Sequence, residues 1–185
     1  MKKRMLAACS LSFVLSCGGG EPSTVVRGAV AGQSMTAADA ISNLLQAGSQ
    51  SAAGILITSV PNACPLIGAQ QLVKNGKELD VVLGTQTTSG LMAPSPGSYT
   101  VYASGAVPAT GNVASVTFTS RDGSCVATSS VEAESGTITL SHTDPSGYTG
   151  TFDLTFPNGA GHLTGSFDTS TCPPLGKKVP FMCPP

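Results

Sequence analysis

The chain has 185 residues and is sparsely charged: Asp, Glu, Lys and Arg make up 10%, the formal net charge is −1, and there is no tryptophan. Of its nine cations, Lys2, Lys3 and Arg4 stand at the very start, so the rest is mildly acidic, which argues against nucleic acid or an anionic lipid headgroup as partner. An abundance of Gly, Ser, Thr, Val and Ala suits short strands and turns rather than long helices, and the length fits one domain able to bury a core.

Residues 1–16 begin with those cations, run through an apolar segment from Met5 and end on small residues before Cys17. They have the three parts of a secretory signal and are too short for a membrane span, which needs about 20 apolar residues. Val14-Leu15-Ser16-Cys17, followed by Gly18-Gly19-Gly20, resembles a bacterial lipobox. That resemblance implies Cys17 as the mature N-terminus, with a diacylglycerol on its sulfur and usually a third acyl chain on its amino group. Each buried methylene contributes roughly 0.8 kcal/mol and one chain is marginal, so two or three hold a protein on the bilayer. Gly18 lacks the acidic side chain that keeps some lipoproteins at the inner membrane, which by the same resemblance points to the outer membrane. The expected organisation is a signal peptide at 1–16, a lipidated flexible tether at 17–24, a folded domain at 25–172 and a proline-rich C-terminal tail at 173–185. A plain signal peptide cut nearby, with Cys17 incidental, is the alternative.

Val25 to Val30 reads as a first strand. From Ser34 to Gly48, Thr36 with Asp39 makes a capping-box pattern and Ala37, Ala40, Ile41, Leu44 and Leu45 recur at helical spacing, so local rules favour a short helix. Gly54 to Val60 is a buried strand, and Pro65, Lys74 and Gly76 bracket a second short helix over 64–75. Strands follow at Leu79 to Leu83 and Tyr99 to Ala103, separated by a Ser/Thr/Gly/Pro-rich loop, 84–98, long enough to suggest a partner contact.

From Val113 onward the pattern predicts register. Asp122-Gly123 signals a two-residue hairpin, which would pair Arg121 with Ser124 and turn Cys125 inward with Val116 and Phe118. Thr137 to His142 buries Ile138 and Leu140. Two copies of Gly-x-Phe-Asp, at 150–153 and 165–168, flank a turn at Asn158-Gly159. A four-residue loop sets Phe152 opposite Phe167, Leu154 opposite Gly165 and Phe156 opposite Leu163, all on one face. For Ile138 and Leu140 to share that face, the turn at Asp144-Pro145-Ser146-Gly147 needs an odd loop length or a bulge.

Cys9 leaves with the signal, so Cys64, Cys125, Cys172 and Cys183 remain besides Cys17, which in an oxidising compartment reads as two disulfides. Spacing does not fix connectivity. An inward Cys125 near a strand start and Cys172 at the end of the last strand suggest Cys125 with Cys172, leaving Cys64 with Cys183. Their wide spacing disfavours zinc.

The stretch from Gly97-Ser-Tyr-Thr-Val through Ser135-Gly-Thr-Ile-Thr-Leu to Gly150-Thr-Phe-Asp-Leu-Thr-Phe and Leu163-Thr-Gly-Ser-Phe-Asp, ending at Cys172, resembles a loose set of small bacterial lipoproteins. The resemblance implies a fold and an envelope location; no reaction or ligand comes with it. In members of that set the counterpart of Ser34 to Gly48 looks extended.

No Gly-x-Ser-x-Gly elbow, P-loop, His-Glu-x-x-His or dinucleotide fingerprint is present. His142 or His162 with nearby serines and Asp144 or Asp168 could assemble a hydrolase triad, but serine is so common here that such proximity arises by chance. The predicted register places Asp153 and Asp168 diagonally on the outer face, a weak calcium pair or, more simply, a solvated face. Tyr99, Tyr102 and Tyr148 suit core or rim packing. The expectation is therefore a single all-β, antiparallel sandwich-like domain of about eight or nine strands with one or two short helices. It would need no cofactor and act, not as an enzyme, but as a structural or binding module, anchored to the membrane by its acyl chains and meeting an envelope protein or ligand. A barrel carrying a small apolar ligand is the alternative, and a hydrolase the more remote one.

Overall fold

A computed structural model describes residues 24–176, Met182 and Cys183; Cys17 with the signal and most of the tether, and residues 177–181, lie outside the described residues. The strands are β1 (Val25–Val30), β2 (Gln33–Ser34), β3 (Asp39–Ala47) and β4 (Gln50–Thr58). After helix α1 (Ala63–Gly68) come β5 (Lys77–Thr87), β6 (Gly90–Met92), β7 (Gly97–Tyr102), β8 (Gly111–Arg121) and β9 (Ala127–Glu132). The chain finishes with β10 (Ser135–Asp144), β11 (Gly147–Phe156), β12 (Gly161–Asp168) and β13 (Ser170–Thr171).

The protein is all-β, but its 13 strands form one sheet, in the order β13-β3-β4-β5-β8-β7-β10-β11-β12-β1-β2, with β6 beside β5 and β9 beside β8. The pairs β7–β8 and β13–β3 are parallel; the others are antiparallel. The sheet curls back on itself through one chain segment. β12 pairs with β11, runs through Thr169 into β13, and β13 pairs with β3. At this seam the Thr169 hydroxyl lies 2.8 Å from Ser42 Oγ and accepts the Tyr148 amide at 2.8 Å, which satisfies polar groups that the curl buries. Inside the curl, Ala53, Ile55, Ile57, Leu79, Val81, Leu83, Tyr99, Phe118, Leu154, Phe156 and Phe167 belong to one contiguous buried cluster. Side chains, not an open lumen, occupy this interior. Among the described residues no helix is long and apolar enough to cross a membrane.

The last hairpin keeps the expected face but is offset by two residues: Phe152 lies opposite Gly165, Gly150 opposite Phe167, and Leu154 opposite Leu163. The glycines explain the offset. A Cβ on Gly165 would sit 2.6 Å from the Phe152 ring and one on Gly150 would sit 2.8 Å from the Phe167 ring, so each phenyl group lies over the bare backbone of its partner. Two rings directly opposite would compete for one space. The register break between Leu140 and His142 supplies the bulge that puts Ile138 opposite Phe152 on the shared face.

Four local expectations fail. Residues 39–47 form a strand, because pairing along its whole length with β4 outweighs helical spacing. The 84–98 loop is largely a hairpin in which β5 continues to Thr87 and turns back into β6. The helix after Cys64 stops at Gly68, since Gln70 adopts a left-handed φ of 59° and Gln71 bridges to Met182. The Asp122 turn is also wider than two residues: Arg121 pairs with Ala127, while Asp122 Oδ1 accepts the amides of Ser124 and Val126 and leaves Cys125 at φ 61°.

Candidate functional site

Alternation along a strand sends every second residue to the outside of the curl. On β4 and β5 these are Gly54, Leu56, Glu78, Asp80 and Val82, with Thr117, Thr119 and Arg121 beside them on β8. This outer face is partly roofed. Asp39 Oδ2 accepts the Ala63 amide and fixes the start of α1, and Asn43 Nδ2 donates to the carbonyls of Pro173 and Leu175 at 3.3 and 2.9 Å. Ile41, Leu56, Ala63 and Cys172 make a second, smaller core under that roof.

The disulfides hold the roof in place, and they correct the expected pairing: Cys64 is bonded to Cys172 and Cys125 to Cys183. Cys172 follows β13, which lies alongside β3, and its amide donates to the Ser42 carbonyl, so it emerges beside α1 and Cys64. Cys125 is buried, but in the wide turn beyond Arg121 and outside the core cluster of Val116 and Phe118 that it was expected to join, and there Cys183 reaches it.

Between roof and sheet lies a cleft of about 350 Å³, with Leu45, Leu56, Ile67, Leu72, Val82 and Leu175 as apolar walls and Glu78, Asp80 and Arg121 as its charged groups. Arg121 Nε donates to Glu78 Oε2 at 3.2 Å and its Nη1 to the Cys125 carbonyl at 3.4 Å. Asp80 is reached by water, yet the surrounding protein strips much of its outer hydration; that desolvation and the like charge of Glu78 push its pKa up to about 7, with Arg121 pulling the other way. Sequence reasoning missed all three residues. The alternation of Glu78 and Asp80 with Leu79 and Val81 marks them as outward, and outward acids normally read as solvated.

The other candidate side chains do not converge. Asp144 stands between its neighbours: His142 Nε2 lies 2.6 Å from Oδ2, while Oδ1 accepts the Ser146 hydroxyl and the amides of Ser146 and Gly147. The Ser146 hydroxyl, then His142, then the Ser146 amide hold Asp144 down to about 2. A triad needs histidine in the middle, and among the described residues neither imidazole hydrogen-bonds a serine. His162 Nε2 instead meets Asp153 Oδ1 at 2.7 Å. Asp153 pairs with Thr164 and Asp168 with Thr149, so the two carboxylates are not diagonal neighbours, and among the described residues no group of three or more His, Cys, Asp or Glu side chains gathers for a metal. Tyr99 is fully buried, its hydroxyl donating to the Ser95 carbonyl, and Tyr148 is nearly so.

No protein-family model, curated protein or solved structure matches the chain.

Proposed function

We propose that the chain is an exported lipoprotein of the bacterial envelope, held by acyl chains on Cys17 and working as a binding module whose ligand surface is the cleft over β4, β5 and β8. The observation that carries this is the pair of disulfides, Cys64–Cys172 and Cys125–Cys183, which lock together segments distant in sequence around that cleft. Such bonds persist in oxidising compartments, in agreement with the signal and the lipobox-like Val14-Leu15-Ser16-Cys17 ahead of a glycine tether. With the interior of the curl filled by side chains, the roofed outer face is where a ligand would lodge. No chemistry is assigned to it. Labelling cells with radioactive palmitate tests the anchor: the native chain should take up label and sediment with envelopes, whereas Cys17→Ala should do neither. An unlabelled native chain recovered from the culture medium would defeat it.

A further inference from the structure

We propose that this cleft binds an alkylammonium ion, with the ammonium against Asp80 and the aliphatic body along Leu45, Leu56 and Val82. The inference rests on the binding reading of the cleft but not on the anchor. Its basis is a charge imbalance. Glu78 and Asp80 occupy alternate positions of one strand and share one concavity, and the single guanidinium beside them donates Nε to Glu78 and Nη1 to the Cys125 carbonyl and hydrogen-bonds no oxygen of Asp80, so two carboxylates face one cation. Among the described residues Asp80 receives no hydrogen bond, and neither β4, α1 nor residues 172–176 bring a charged side chain to it. Lys177 and Lys178 follow in sequence and lie outside the described residues.

Asp80 faces water on one side and the apolar walls on the other, so its charge is only partly hydrated and a cation lodged in the cleft would be favoured there. An anionic ligand would face two acids against one arginine, and a neutral alcohol would leave Asp80 unneutralised. A protonated amine supplies the missing charge, and its methylenes replace water on the leucine and valine surfaces. The volume, about 350 Å³, stands at the small end of known ligand sites and suits a short aliphatic amine. An ammonium beside Asp80 favours its ionised form, so binding must strengthen as the carboxyl loses its proton near pH 7, while the amine itself stays charged throughout.

Calorimetric titration of the purified, disulfide-intact full-length protein with hexylamine and hexan-1-ol, at pH 5.5 and pH 8, tests this. Hexylamine should bind about tenfold or more tightly at pH 8 than at pH 5.5, and hexanol equally at both. Asp80→Asn should weaken hexylamine at pH 8 about tenfold and leave hexanol alone, while Asp80→Glu should retain amine binding; thermal melts of both variants report their folding. Equal binding of amine and alcohol, or an Asp80→Asn variant that still prefers the amine, would overturn the ligand class and leave the binding reading standing. Absence of binding by both probes would overturn the two together. Amine binding that emerges only in a Lys177→Ala/Lys178→Ala variant would show that the chain's own cations fill the site, and would equally end the proposal.

Discussion

The inner and outer faces of β4 and β5 are made from alternate residues of the same two strands, yet they are buried by different means. Inside, Ala53, Ile55, Ile57, Leu79, Val81 and Leu83 are sealed by the curl of the sheet itself, each at most 3% exposed. Outside, Ile41 and Leu56 are covered by α1 and the C-terminal segment, which are held down by crosslinks and a few hydrogen bonds. One face is closed by topology, the other by covalent bonds. Removing the crosslinks should therefore open the outer face first. Cys64→Ala/Cys172→Ala, which opens a span of 108 residues, should lower the unfolding free energy in urea by about 4–5 kcal/mol on the chain-entropy account, and Cys125→Ala/Cys183→Ala, spanning 58, by about 4 kcal/mol. Hydrogen exchange should quicken in α1 before the amides of β11 and β12. Simultaneous loss of protection everywhere would mean that the two faces form one cooperative unit.

The inner face has its own weak point where aromatic rings lie over glycine. Gly165→Val would bring a Cβ to within 2.0 Å of the Val25 carbonyl oxygen and 2.6 Å of the Phe152 ring, so β1 must shift as well as the ring. A loss of about 3 kcal/mol is expected, read from the urea midpoint. Phe152→Leu in the same background should recover part of the ring clash but none of the backbone one, and recovery to wild-type stability would contradict the placement of β1 against Gly165.

This division also decides what could be read from the sequence. The faces of β8, β10, β11 and β12 were legible because alternating large apolar and small polar residues leave one way to bury Phe152, Leu154, Phe156 and Leu163. Even there the register was two residues out, since alternation fixes the face and not the partner, and the glycines opposite the rings carry that information. Residues 39–47 obey helical spacing and became a strand because β4 and β13 were waiting on either side. The cleft was illegible for a further reason. Glu78 and Asp80 look like ordinary outward acids until the Cys64–Cys172 bond sets α1 and residues 172–176 alongside them to form a cleft, and no local pattern announces a disulfide's partner.

Where the curl closes, the two modes of burial meet at Thr169. Its hydroxyl takes the Tyr148 amide and contacts Ser42 Oγ, so Thr169→Val keeps the shape and deletes the acceptor. A buried amide left without a partner costs about 1–3 kcal/mol, and the urea midpoint should fall accordingly. Ser42→Ala, which leaves the Tyr148 amide satisfied, should cost less. The reverse ranking would place the weight of the seam on the β3 side.

The smallest expected effect is one of sign. Asp80 ionises near pH 4 in the unfolded chain and near pH 7 in the fold, so between those values the folded state binds more protons than the unfolded one. Its contribution to stability therefore falls as pH rises from about 4 to about 7 and stays reduced above that, by less than the shift alone implies because water reaches the carboxylate. Asp80→Asn removes the penalty. The variant should unfold at a higher denaturant concentration than the wild type at pH 8, and the gap should close on acidification to pH 4. A wild type more stable than Asp80→Asn at pH 8 would mean that a cation already meets the carboxylate in the isolated protein, which would give the outer face an electrostatic closure in addition to its covalent one.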